Sequence, residues 1–352
     1  MKKILKKTIK KIKKIILWYK KVLTAHSDYK VSFYTKIKFA LKGFTVNEYI
    51  WYNLKHNNYN DYISDYKRIE SRNINCDYKF ILDDKLIFEE IFRNYIRVPY
   101  NYGYISAGHI YSLHNCNLNN DNVIDFIKEK KALVLKILKG YEGNGVFVIK
   151  YSNNKFEING KKTTIKDLNN LLTSCNESII CEYMVQSEFE NNIYDKSTNT
   201  LRIVCAKKKG ETHAKILKAV QRIGTDCCSP VDNVSAGGLA AEIDIETGRL
   251  SYAIAKYGPM KRRMKKMSNH PDNNNQIEGK VIPNWGKLKK EIEDVTNKFP
   301  YLNFVAWDVL LTNDGICIIE GNASSGCGLF QLEHGIKNEE YGEILKSYGV
   351  FK

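Results

Sequence analysis

Two stretches bring together residue types suited to holding a polyanion. The segment "FVAWDVLLTNDGICIIEGN" (304–322) carries Asp308, Glu320 and Asn322 on two apolar runs joined around Asn313-Asp314-Gly315, a strong hairpin signal. Pairing Thr312 with Ile316 puts Asp308 directly across from Glu320. Alternation along each strand then puts Asp308, Glu320 and Asn322 on one face. Directly opposed Cβ atoms lie about 5 Å apart, where like charges are destabilising. Three hard oxygen donors at that spacing suit Mg²⁺, which takes few carboxylates and completes its shell with substrate phosphates. The other reading is an ordinary hairpin with its polar face in water. Ala306, Leu310 and Ile318, expected beside the carboxylates, argue against it.

The second stretch, "ALVLKILKGYEGNGVFVI" (132–149), places Lys136 inside an apolar strand, where a cation needs an anionic partner. Gly140, Gly143 and Gly145 follow, in a loop whose backbone amides can close over phosphates. It is not a Walker A loop, because GxxxxGK[ST] is absent. Taken alone, a glycine-rich hairpin loop is common. Combined with the carboxylate hairpin, it describes a nucleotide held between a flap and a metal floor. Arg202 in "NTLRIVCAK" and Arg222 in "VQRIG" sit among apolar neighbours, so each is either half of a structural ion pair or a phosphate clamp.

The elements that must position these residues fall into two textures. Residues 31–130 read as mixed and largely helical, with "VNEYIWYNL" and "LIFEEIFRNYI" at helical spacing. From about residue 132 short strands alternate with Gly and Asn turns: "ALVLKIL", "GVFVIK", "SIICEYM", "NTLRIVCAK", "AKILKAVQRI", "LAAEIDI", "FVAWDVLLT" and "GICIIEG". Helices are expected at 164–174 and 286–298, and 257–284 reads as a long loop over a site. Clustered strands with few helices imply an α+β fold.

Residues 1–23 form a basic amphipathic helix, with Ile, Leu, Trp18 and Val22 at near-helical spacing between lysines. Two readings stand: an in-plane anchor on anionic lipid with Trp18 near the headgroups, or an extension packed on the body or on a partner. Much of the net charge of +16 is concentrated there, and no nucleic-acid motif accompanies it, so nucleic acid is not expected as a partner. The nine cysteines contain no CxxC pair and several lie in apolar runs, which fits free thiols in a reducing cytoplasm. No apolar run is long enough to span a bilayer, and the N-terminus lacks a signal peptide's apolar core. A cytoplasmic location is the expectation, on the inner face of the membrane where residues 1–23 act as the anchor.

In order along the chain, these elements resemble the ATP-grasp superfamily, and within it the sugar-transfer-associated ATP-grasp proteins of bacterial surface-polysaccharide loci. "LDDKLIF" (82–88) resembles the element that supplies a first phosphate-contacting lysine, here Lys85, and "VLKILKGYEGNGV" resembles the second, Lys136, with its flap. "IICEYM" resembles the hinge strand, which implies that Glu182, Tyr183 and Met184 meet adenine and that Gln186 or Glu188 meets ribose. "TNTLRIV", "QRIG", "DNVSAGG", "HPD" and "VIPNW" match the subfamily in order, and Asp308, Glu320 and Asn322 resemble its metal ligands. The resemblance covers roughly residues 75–335; the basic N-terminal helix and the Asn-rich 267–276 segment lie outside the common pattern.

The resemblance implies an ATP-grasp fold, with nucleotide between two α+β subdomains behind a mostly helical N-terminal region. The expected divisions are 1–30, 31–130 and 131–352. It implies ATP and Mg²⁺ as cofactors and a carboxylate–amine ligase acting through an acyl phosphate, joining an amino acid or amine to a sugar or sugar nucleotide in cell-surface polysaccharide (capsule) biosynthesis. Arg202 and Arg222 would clamp the γ-phosphate. Asn233, Gly237 and Gly238 form either a substrate loop or a simple turn. His270 and Asp272 either orient an acceptor and move a proton or sit exposed in a polar loop. The basic segment "KYGPMKRRMKKM" (256–267) meets an anionic ligand or is a solvated face. A small-molecule kinase using the same ATP site, and a non-catalytic basic membrane-associated binding protein, are the alternatives.

Overall fold

The computed structural model describes residues 2–24, 29–138, 145–255 and 266–351, without the side chains of 2–8, 10 and 11. Gly140, Gly143 and residues 256–265 of the basic segment lie outside the described residues.

Two seven-stranded sheets carry the chain, every pairing in them antiparallel. The first is built from β1 (Asn101–Ser106), β2 (His109–Ser112), β3 (Ala132–Ile137), β4 (Val146–Ser152), β5 (Lys155–Ile158), β6 (Lys161–Thr163) and β7 (Ser178–Glu182), in the order β2-β1-β7-β3-β4-β5-β6. The second holds β8 (Thr200–Ala206), β9 (Lys215–Ile223), β10 (Leu239–Ile243), β11 (Leu250–Ala255), β12 (Lys266–Met267), β13 (Phe304–Thr312) and β14 (Gly315–Asn322), in the order β12-β11-β10-β9-β8-β13-β14. The helices are α1 (Lys2–Thr24), α2 (Phe33–Leu41), α3 (Val46–Trp51), α4 (Asp65–Ser71), α5 (Lys79–Asp83), α6 (Lys85–Phe92), α7 (Val123–Lys130), α8 (Ile165–Ser174), α9 (Glu188–Asn191), α10 (Trp285–Asn297) and α11 (Glu340–Ser347). This is the α+β architecture expected, with a helical N-terminal region. The division expected at residue 131 runs through the first sheet, because β1 pairs with β7.

Alternation along the strands decides what each sheet offers the space between them. In β3, Leu133 and Leu135 pack with Ile127 of α7 and Leu168 of α8, so Val134 and Lys136 point the other way. In the second sheet, Leu201, Ile203, Val305, Trp307 and Val309 bury one face against α10 and against Phe88 and Phe92 of α6. On the opposite face α11 covers Val204, Ala206, Val220, Phe304 and Ala306. The strand ends beyond that apolar half carry Thr200, Arg202, Arg222, Asp308, Glu320 and Asn322, left uncovered by α11.

The carboxylate hairpin arrives at the expected opposition by a different register. Thr312 pairs with Gly315 rather than Ile316, and a bulge between Asp308 and Val309 restores Asp308 opposite Glu320. The bulge turns Ile318 into the core beside Val309 and leaves Ile319 toward the cavity, so Ile318 does not share the carboxylates' face. Gly321 is required between the two polar residues. A Cβ there would come within 2.8 Å of Leu82 and 3.1 Å of Phe88.

Two further expectations are corrected. Residues 268–284 are a loop, as expected, but not one over the site: none of them lines the cavity, and backbone bonds such as Leu250 N–H to Lys280 O and Gly279 N–H to Leu250 O tie them to the second sheet, with Ile277 and Ile282 buried. Trp18 faces the body rather than headgroups; its indole Nε1 donates to Ala40 O at 3.0 Å, and its ring meets Tyr66 edge-on.

Candidate active site

A cavity of about 1340 Å³ lies between the sheets, floored by the second and roofed by β3, β4 and the end of β7. Lys85, Lys136, Glu182, Tyr183, Met184, Arg202, Arg222, Asn233, Asp308, Glu320 and Asn322 all line it. Gly145, Gln186, Glu188, Gly237, Gly238, His270 and Asp272 do not.

At the roof, Asp84 caps α6 through its Oδ1, which accepts from the N–H groups of Leu86 and Ile87. The cap fixes Lys85 in the first turn, with Nζ 3.3 Å from Leu138 O. Lys136 is half-buried, and among the described residues it has no ion-pair partner. A cation so placed calls for an anionic ligand. Gly145, at φ +78°, closes the β3–β4 hairpin; a Cβ there would lie 2.5 Å from Ile137. Glu182 Oε1 accepts from Arg97 at 2.5 Å and Oε2 from Tyr100 N–H, which anchors the strand end. The Tyr183 ring lies 4.9 Å beneath Lys150 Nζ. Val134, Val146, Val148, Leu138 and Pro99 complete an apolar slot beside Met184, of the kind a flat aromatic base fills.

The floor is a charged row dictated by strand register. Arg202 pairs with Asp308, and Asp308 with Glu320, across three neighbouring strands. Arg202 donates to Asp308 through Nε, and through its second nitrogen to Oδ2 at 3.0 Å. Arg222 donates to the same Oδ2 at 3.1 Å and to Thr200 Oγ1, which itself donates to Asp232 at 2.5 Å. Burial alone would raise Asp308, but the two guanidiniums outweigh it and hold its carboxyl below the ordinary range. Glu320 shifts the opposite way: burial, and then Asp308 beside it, raise its pKa. Burial likewise raises Asp232 despite Arg222.

These donors fit a divalent cation. Glu320 has no ion-pair partner among the described residues, and its carboxylate is penalised by its surroundings. Asn322 spends its amide N–H on Ala306 O at 3.4 Å, leaving Oδ1 for a ligand. Asp308, which accepts one bond on Oδ1 and two on Oδ2 from the arginines, keeps one lone-pair site on Oδ1.

The remaining candidates are structural ties. Gln186 donates to Asn191 and Tyr194 O and accepts from Asn199 N–H, while Glu188 is exposed with its N–H on Asn313 Oδ1, and neither lines the cavity. His270 corrects the expectation of an acceptor-orienting or exposed residue. It is buried, stacked on Tyr194 at 4.4 Å, with Nε2 on Gly224 O and Nδ1 accepting from Asp272 N–H. Asp272 accepts from Asp226 N–H. Gly237 and Gly238 shape the turn that presents Asn233: Gly237 has φ +112°, and a Cβ on Gly238 would meet Asp232 O at 2.9 Å.

The sequence reading missed Thr200 and Asp232, which brace Arg222, although both lie in motifs it singled out. It also missed the far end of the cavity, where α1, α3 and α4 bring Lys21, Val22, Glu48, Asp65, Arg68 and Arg72. Burial, then Asp65, push Glu48 up to about 8. The arginines at 68 and 72 share a helical face, but that spacing looks the same on any solvated helix.

The family described as sugar-transfer associated ATP-grasp matches residues 65–341. No curated protein matches the chain. Among solved structures, an ADP complex of N5-carboxyaminoimidazole ribonucleotide synthetase is 13% identical with a TM-score of 0.39, over 70% of this chain and 46% of that one. D-alanyl-alanine synthetase A from Vibrio cholerae is 11% identical with a TM-score of 0.41, over 76% and 61%. D-alanine–D-alanine ligase from Bacillus anthracis is 12% identical with a TM-score of 0.35, over 69% and 56%. The chain spans about half the length of the solved structures it matches. With the family matched across most of its length, the chain belongs to the sugar-transfer associated ATP-grasp family.

Proposed function

We propose that this protein is an ATP-dependent carboxylate–amine ligase that joins an amino acid or amine and a sugar in making cell-surface polysaccharide. The observation that carries this reading is one cavity with Lys85 and Lys136 on its roof and Asp308, Glu320 and Asn322 on its floor. Unpaired cations facing oxygen donors suit a metal–nucleotide polyphosphate. The family's association with sugar transfer supports a sugar substrate.

In this reading the base lies in the slot beside Tyr183 and Met184, and Lys85 and Lys136 neutralise phosphate oxygens. Asp308, Glu320 and Asn322 would hold Mg²⁺, which supplies charge neutralisation at the β- and γ-phosphates. A substrate carboxylate oxygen attacks the γ-phosphorus in line; the bond to the β-phosphate oxygen breaks and ADP leaves. The amine nitrogen then attacks the acyl carbon, the C–O bond to phosphate breaks, and phosphate departs as the nitrogen loses a proton. Arg202 and Arg222 orient the transferring group and hold its developing charge. The end of the cavity lined by Arg68 and Arg72 offers the acceptor charged partners.

The test is ATP turnover by purified protein with Mg²⁺ and a panel of amino acids and sugar nucleotides, with products identified by mass. Turnover that needs two co-substrates, yields a condensed product and vanishes in Asp308→Asn/Glu320→Gln supports the ligase. A phosphorylated single acceptor makes the protein a kinase. Absence of ATP binding with Mg²⁺ at millimolar concentration sinks the nucleotide reading.

A further inference from the structure

The N-terminal helices expose apolar surface that the fold does not use. Helix α1 is clamped to the body by one face: Trp18 and Val22 are buried with Ala40, Lys14 pairs with Glu70 at 3.1 Å, and Lys21 with Asp65 at 3.1 Å. At 3.6 residues per turn, Ile9, Ile12, Ile16 and Leu23 form a stripe on a different face. They stay in solvent, Ile16 at 59% exposure, and the exposed Lys13 and Lys20 flank them. Helix α2 packs beside α1, and Lys36 Nζ donates to Leu23 O at 2.9 Å. It shows a second unused stripe, with Phe33 at 71%, Tyr34 at 75% and Leu41 at 67% exposure.

Charge selects the occupant. Residues 2–24 carry ten lysines and no acidic residue, and α2 adds Lys36 and Lys38. A second copy would set lysine against lysine, and a nucleic acid would leave the isoleucines uncovered. An anionic bilayer surface satisfies both features, with apolar side chains entering the acyl boundary and lysines meeting headgroups. We infer that α1 and α2 together form a docking face for an anionic lipid surface, with Trp18 acting inward as the clamp that holds α1 in place. No described helix is long and apolar enough to cross a membrane, so the docking lies in the interfacial plane. Helix α1 also walls the cavity through Lys21 and Val22, so docking holds that end of the cavity near the headgroups.

The inference does not depend on ligase activity and is tested without ATP. The full chain is co-sedimented with phosphatidylcholine vesicles and with vesicles containing phosphatidylglycerol, at low and high salt. Binding is expected only to the anionic vesicles. Ile12→Gln/Ile16→Gln, which keeps every charge, should lower partitioning by at least roughly tenfold, the loss expected when two lipid-buried isoleucines become polar. Phe33→Ser/Leu41→Ser on α2 should do the same, and unchanged circular dichroism would confirm that both variants fold. Three results would overturn the inference: no binding to anionic vesicles, binding that high salt abolishes while both variants retain it, or a dimer in light scattering that these substitutions dissociate.

Discussion

Asp308 and Glu320 face each other across one strand pair, yet removing their charges should affect the protein in opposite ways. Asp308 is 3% exposed and accepts from both Arg202 and Arg222. Asp308→Asn deprives Arg202 of its ion-pair partner and leaves Arg222 with Asp232 alone, at 3.4 Å. Breaking a buried pair costs about 3–5 kcal/mol; because both arginines keep some access to the cavity, about 3 kcal/mol is expected. A chain of 352 residues unfolds with an entropy near 0.7 kcal/mol per degree, so Tm should fall by roughly 4 °C. Glu320 makes no ion pair among the described residues, and burial with Asp308 beside it raises its pKa by more than Lys85 and Arg202 lower it. Glu320→Gln should therefore leave Tm unchanged or raise it by about a degree or two. Both variants should lose ATP turnover.

The pH dependence separates the pair again. The Asp308 pKa is depressed on folding, so its contribution is present above the unfolded value near 3.9 and disappears as pH falls through the folded value. The Glu320 pKa is raised, so its cost is absent at low pH and grows as pH rises from the unfolded value near 4.3 toward the folded one. Thermal melts of both variants and the parent, at pH 4.5 and pH 7.5 without nucleotide, read these effects directly. The gain from Glu320→Gln should be larger at pH 7.5. Equal destabilisation by the two substitutions would refute the argument, because it would mean that Glu320 has a stabilising partner of its own.

Lys85→Met and Lys136→Met should each weaken ATP binding by roughly 10- to 100-fold, measured by calorimetry with Mg²⁺, with little loss of thermal stability. Glu190 is fully buried and its pKa is pushed up to about 8, chiefly by burial, so its cost to folding grows as pH rises from about 4.5 to 8. Glu190→Gln should stabilise the chain by a few kcal/mol at pH 8 and hardly at all at pH 4.5, read by denaturant unfolding. His270→Ala should cost about 2–3 kcal/mol through the lost Tyr194 stack and the lost bond to Gly224, while kcat at a permissive temperature stays near the parent value. A collapse of kcat with unchanged stability would return His270 to the chemistry.

Much of the floor was legible because strand alternation is a local rule. "VAWDV" and "CIIEGN" state which residues share a face, and the turn at 313–315 fixes their opposition to within one residue. The bulge was not legible. No residue type in "GICIIEG" marks where an extra residue leaves the ladder, and here a one-residue error in the turn was cancelled by the bulge. Position 270 failed for a different reason. A polar, Asn-rich stretch reads as exposed, yet Tyr194 and Gly224 come from elsewhere in the chain to bury the imidazole. The α1–α3–α4 end of the cavity was invisible because its arginines look like surface charges until tertiary packing folds them inward. Strands β1 and β2 were hidden inside a region whose flanking helices dominate the pattern.

The charges around the cavity explain why ligand chemistry and fold stability are joined at this site. Where the floor of β8, β9, β13 and β14 faces the two lysines, Asp232, Asp308 and Glu320 supply negative charge when ionised, and Lys85, Lys136, Arg202 and Arg222 supply positive charge. The arginines are spent on Asp308 and Asp232, Glu320 is held against its own ionisation, and among the described residues the two lysines pair with no carboxylate. An arriving polyphosphate therefore meets groups already stripped of much of their water, and it exchanges partners rather than desolvating each group afresh. Losing either lysine removes attraction for the ligand but breaks no ion pair in the described structure. Losing Asp308 breaks two. The two lysines thus serve the ligand alone, whereas Arg202, Arg222 and Asp308 serve both ligand and floor, and separate measurements of binding and of unfolding will tell the two groups apart.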